Sequence, residues 1–213
     1  MSSQPTMTKP LNKIPRTREI ATVGLFGALS IVLTIFSNLL LKLAFVPPVN
    51  YLLFDFGEIP VIICFLIIGP RAGFSVAVIE WIALNLLPTT TPLIGPLFKF
   101  TSVSLTLAGL WIGWKLFRKS SMNAKFGVSS IVSASFRSSV MTLPNAAFLI
   151  FSFHIPASGY LYFLLELTAI FNVLQIPFDF VPTYILIGLP QVKQMLRKNG
   201  MTWFESGSIS HTV

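Results

Sequence analysis

Long apolar runs separated by short polar punctuation set the pattern of this chain. Runs over residues 17–41, 97–117, 128–153 and 160–189 are long enough to cross a hydrocarbon core, which takes about 20 helical residues. A shorter run covers 72–87. The run over 59–68 stands apart, because ten residues at about 1.5 Å each reach roughly half of a ~30 Å core. It cannot span alone from the surface. The stretch before it, Phe54-Asp-Phe-Gly-Glu-Ile-Pro60, is acidic and aromatic and must dip inward. Irregular backbone at that depth is stable only where it is buried in protein or lines a cavity. The pattern therefore predicts an all-α integral membrane protein. It has six transmembrane helices, a short second helix, and a lid loop between helices 1 and 2.

The punctuation predicts the boundaries. Gly69-Pro-Arg-Ala-Gly73, Pro88-Thr-Thr-Thr-Pro92 and His154-Ile-Pro-Ala-Ser-Gly159 read as turns, and residues 118–125 as a polar basic loop. Pro177 and Pro182 are expected to break the sixth span. Residues 1–18 and 191–213 read as polar tails around a membrane substrate-binding domain at 19–190. The first run is too long for a signal peptide and lacks a small-residue cleavage site, so it is expected to remain as an anchor.

Composition agrees with the pattern. The 213 residues are 54% hydrophobic and 10% charged, against about 25% charge in soluble domains. Mean hydropathy is +0.78. The net charge of +8 flanks apolar runs, so it points to membrane lipid rather than nucleic acid. With six spans and a cytosolic N-terminus, twelve of the fifteen Lys and Arg lie inside; Lys42, Lys99 and Arg137 are the exceptions. The expected location is the plasma membrane, multi-pass, with both termini cytosolic. The one cysteine, Cys64, sits in an apolar run and reads as a buried hydrophobe. His154 and His211 have no Cys or carboxylate cluster, so no metal site is expected. No phosphate-binding loop motif is present, so ATP hydrolysis would belong to another chain.

The chemistry lies in polar residues inside the spans. An ionised side chain at mid-membrane costs roughly 2.5–3.5 kcal/mol on insertion scales, so it needs a partner or a cavity. Arg137, Met141 and Asn145 share one helical face; so do Asn172, Gln175 and Asp179, and so do Lys99, Ser102 and Thr106. Two readings stand side by side. These groups are interhelical hydrogen-bonding glue, or they line a pocket. Asn145, Asn172 and Gln175 suit a pocket best, because amides present donors and acceptors together. Glu80 with Arg137 reads as a structural ion pair. Lys99 either snorkels or faces a ligand. Phe54, Phe56, Phe98, Phe100 and Phe148 offer rings for stacking on a flat ligand. In the first span, Ala21, Gly24 and Ala28 form a small-residue face, fit for packing within the chain or for docking a partner membrane protein.

At these residues the chain resembles the substrate-binding S component of energy-coupling-factor (ECF) vitamin transporters, and within them the riboflavin-specific branch. The resemblance covers about residues 20–190. Gly24-Leu-Phe-Gly-Ala-Leu-Ser30 is similar to the family's first helix, where an A-x-x-x-A pair docks the transmembrane coupling subunit. Residues 54–60 and 69–73 resemble its D-F-S-D-I-P loop and G-P-x-x-G turn, and Glu80 matches its third-helix Glu. Arg137 with Met141-Thr-Leu-Pro-Asn145 resembles R-x-x-x-M-T-x-x-N, and Phe171-Asn-Val-Leu-Gln175 resembles F-N-x-x-K. Gln175 stands where the branch has Lys, and Lys99 where it has Asn.

The resemblance implies capture of a small-molecule vitamin, riboflavin first, by Asn145, Asn172, Gln175, Lys99 and the lid residues Phe54 and Asp55. It implies transport with a coupling subunit and two cytosolic ATPases, with no cofactor beyond the transported ligand. Another vitamin or heterocyclic precursor, thiamine-like for example, is the nearest alternative. A membrane enzyme would need clustered carboxylates or a His with a nucleophile, and Glu80, Glu166 and Asp179 are scattered, so no catalytic residue is expected. A ligand-free scaffold is the third possibility.

Overall fold

A computed structural model describes residues 14–49, 51–87, 93–199 and 201. The described residues form helices α1 (Arg16–Phe36), α2 (Glu58–Ile67), α3 (Pro70–Leu86), α4 (Ile94–Leu116), α5 (Met122–Phe153), α6 (Gly159–Gly188) and α7 (Pro190–Lys198). Among them, Arg16–Leu39, Ile94–Leu116 and Gly159–Gly188 are long and apolar enough to cross a membrane. Outward residues such as Leu25, Leu143 and Phe151 are large, apolar and exposed, as a lipid-facing surface requires.

The stunted helix is the middle of the bundle. All of α2 except Ile63 is buried, which explains why it is apolar on every face. It packs against α1, α3 and α6. Gly69 turns the chain out of it at φ 134°, a region only glycine enters freely, and Pro70 then starts α3. A second seam joins α4 to α5. A Cβ on Gly109 would lie 2.5 Å from Ser133 Cα, and one on Gly113 would lie 2.6 Å from Ser129 Cα. The two backbones therefore touch, which brings Thr106 on α4 to Arg137 on α5.

α1 runs on into a π-helical turn, Ser37–Leu41, closed by Lys42 at φ 45°. The lid follows. Phe45 N donates to Leu52 O at 2.8 Å and Phe54 N to Leu43 O at 2.9 Å, so the lid is a short two-stranded flap rather than irregular coil. Its apolar residues Phe45, Val49 and Leu52 rest on Leu149, Leu161 and Leu164, on α5 and α6.

Two expectations change. Pro177 and Pro182 do not break the sixth span; both lie inside a continuous α6, as Pro144 lies inside α5. A helix packed among helices keeps its course past a missing N–H because neighbouring groups take up the freed carbonyls. The tail after residue 190 begins with α7, which turns Leu196 into the core and carries Arg197 and Lys198 in its last turn. The Pro88–Pro92 turn, His211 and most of both tails lie outside the described residues.

Candidate functional site

A cavity of about 350 Å3 opens beneath the lid, within the range of small-molecule sites. Tyr51, Leu52, Leu53 and Asp55 of the flap form one side. The ends of α3, α4 and α5 form another, through Leu84, Ile94, Phe98, Phe148 and Phe153. Lys99, Arg137, Asn145, Asn172 and Gln175 also line it. Phe148 sits edge-on to Phe98 (centroids 5.5 Å apart) and to Phe153 (5.3 Å), which makes an aromatic corner.

Two ion networks hold this hollow open. In the first, Lys99 Nζ contacts Asp55 and Glu80 and donates to Thr34 Oγ1. The Thr34 hydroxyl donates to Glu80 Oε1 at 2.7 Å and lies 3.2 Å from Asp55 Oδ1. Around it, Ser30 Oγ donates to Gly57 O at 2.7 Å and Phe56 N to Ser37 Oγ at 3.1 Å. Gln175 Nε2 donates to Asp55 O at 3.0 Å. The base of the lid is thus tied to α1, α3, α4 and α6 within three residues. A side chain at Gly57 would collide with Thr34, Asp55 and Glu80, so only glycine fits there.

The second network centres on Arg137. Its Nη1 meets Glu58 Oε2 at 2.6 Å and Thr106 Oγ1 at 3.2 Å, and its Nε donates to Asn172 Oδ1 at 3.0 Å. Helices α2, α4, α5 and α6 meet at this one guanidinium.

The expected Glu80–Arg137 pair is therefore a correction. Both residues are paired, but Glu80 binds Lys99 and Arg137 binds Glu58. Glu58 opens α2, the half-length helix that packs against α1, α3 and α6, and from there its carboxylate meets Arg137. Its place in the Gly57-Glu58-Ile59-Pro60 stretch was the available signal. Phe54 is a second correction, since it is absent from the cavity wall. It packs on Phe171 (centroids 4.9 Å) and Phe178 (5.2 Å) as the lid's foot. Phe56 stacks on Phe178 and Phe100 packs at a tilt against Trp81, also off the wall.

The remaining polar set converges. Lys99, Asp55, Asn145, Asn172 and Gln175 border the same cavity, though Lys99 and Asp55 are engaged with each other. Asn145 Nδ2 donates to Met141 O at 2.7 Å and Asn172 Nδ2 to Thr168 O at 2.9 Å, so each amide keeps a second N–H for another acceptor. Sequence reasoning did not single out Tyr51 and Phe153 for the wall; they stack on each other 6.3 Å apart where lid meets α5. Ala21, Gly24 and Ala28 lie exposed on α1, and a Cβ on Gly24 would meet nothing within 4 Å. Among the described residues no group of three or more His, Cys, Asp or Glu is placed to hold a metal ion.

A membrane helix bundle with a lidded, part-polar hollow has the form of a solute-binding membrane protein. The sequence matches the family model described as ECF transporter, substrate-specific component, over residues 18–187. The chain belongs to this family, which makes it a membrane transport subunit and not an enzyme. A solved structure reported as "Structure and mechanism of the S component of a bacterial ECF transporter" is similar in fold, with a TM-score of 0.70 at 19% identity. The likeness covers 86% of this chain and 99% of that one. No curated protein sequence matches.

Proposed function

We propose that this chain captures riboflavin outside the cell for an ECF-type importer. The observation that carries the reading is the meeting of Asn145, Asn172 and Gln175, from two helices, on the wall of one lidded cavity beside the Phe98–Phe148–Phe153 corner. A flat heterocycle with imide and hydroxyl groups uses both halves of that wall: rings for stacking, amides for paired donor and acceptor contacts.

The proposal includes a membrane domain over 19–190 with six spans and both termini cytosolic, a reading that rests on the distribution of Lys and Arg along the sequence. The exposed Ala21–Gly24–Ala28 face of α1 is where the transmembrane coupling subunit docks, with two cytosolic ATPases behind it. A cationic, thiamine-like heterocycle is the second reading, favoured by Gln175 in place of Lys and by the neutralisation of Lys99. Titration of the purified protein with riboflavin tests the first. One-to-one quenching of flavin fluorescence is expected, and its absence at micromolar ligand overturns the choice of riboflavin.

A further inference from the structure

We propose that the cavity admits uncharged or cationic heterocycles and rejects anions, because its cations are already neutralised and the carboxylates around them are in surplus. This rests on the solute-capture reading but not on riboflavin.

Among the described residues that line the cavity, Lys99 and Arg137 are the only basic ones. Lys99 is shared by Asp55 and Glu80, and Arg137 is paired with Glu58. Asp179 adds a fourth carboxylate. It is fully buried one turn beyond Gln175, whose Nε2 donates to both of its oxygens, at 3.0 and 2.9 Å. Asp55, Glu80 and Glu58 thus contact the two cations, three carboxylates to two, while Asp179 is held by Gln175 instead. Charges in a buried, low-dielectric setting act strongly on one another. An anion entering here sheds its water with no free countercharge to receive it. An uncharged ligand instead meets the spare N–H groups of Asn145 and Asn172, and a cation meets the surplus. Amides, rather than free ammonium or guanidinium groups, are what this wall offers.

The test uses purified full-length protein and a panel read by thermal unfolding and by competition. Riboflavin and pyridoxine are the uncharged members, thiamine is the cation, and riboflavin 5′-phosphate, pantothenate and biotin are the anions. Stabilisation is expected from uncharged or cationic members only. Riboflavin 5′-phosphate is expected to bind at least about a hundredfold more weakly than riboflavin. An anion that stabilises as well as the best uncharged or cationic compound overturns the proposal. If thiamine binds and riboflavin does not, the riboflavin reading fails and the charge rule stands. If riboflavin and its phosphate bind equally, the reverse holds.

Two variants address the charge itself. Asp55→Asn removes one carboxylate from the lining and leaves Lys99 held by Glu80 alone. Gln175→Lys places a cation one turn from Asp179. Each is expected to narrow the preference for the uncharged over the phosphorylated ligand by about tenfold. A ratio unchanged in both variants counts against the rule.

Discussion

The two ion networks beside the cavity look alike in composition and differ in what they hold. Arg137 and Glu58 are almost wholly buried, at 4% side-chain exposure each, and join four helices. Lys99 and Asp55 keep 16% and 10%, and join the bundle to a flap. The first is part of the core. The second fastens the flap to the bundle through Asp55. A buried pair and a lid pair that score equally as ion pairs thus carry different jobs, set by the elements each one joins.

The largest effect is expected from Arg137→Met. It leaves Glu58 charged and unpaired in the core, at a cost of about 3–5 kcal/mol. Thermal unfolding of the purified subunit should show the loss, and Arg137→Met with Glu58→Met should recover most of it. If the single variant is as stable as the parent, Arg137 does not hold the bundle. Lys99→Met should cost a similar amount, about 3–5 kcal/mol, because it leaves Glu80, with 3% side-chain exposure, unpaired beside Asp55. Its clearer signature is faster ligand release in stopped-flow, partly restored by pairing it with Asp55→Asn. An unchanged release rate would separate Lys99 from the lid. Asn145→Ala should leave unfolding nearly unmoved and weaken ligand binding about tenfold, the loss of one hydrogen bond. Equal affinity would remove Asn145 from the site. Gly24→Leu should change neither stability nor ligand capture by the isolated subunit, because a side chain there meets open space. ATP-driven uptake in the assembled transporter should fall, and normal uptake would place the docking face elsewhere.

The family-level architecture was legible in the residues because it follows from periodicities and lengths. The half-length run at 59–68 became a buried α2, and the acidic stretch ahead of it became the base of a lid. The amides at 145, 172 and 175 share a wall because helical spacing put them on inward faces. Proline misled at 177 and 182, because its local penalty is only one term among many in a packed bundle.

Hydropathy and spacing alone determined that this chain would lie in a membrane, and which side chains would have to be turned away from lipid. Partnership was decided only in three dimensions. Glu80 and Glu58 both carry carboxylates inside the bundle, and the packing of the helices pairs Arg137 with Glu58 and Lys99 with Glu80. Phe54 likewise became a foot of the lid instead of a wall of the cavity. Charge and aromaticity are properties of a residue, whereas the distance between two residues on different helices depends on how every helix between them packs.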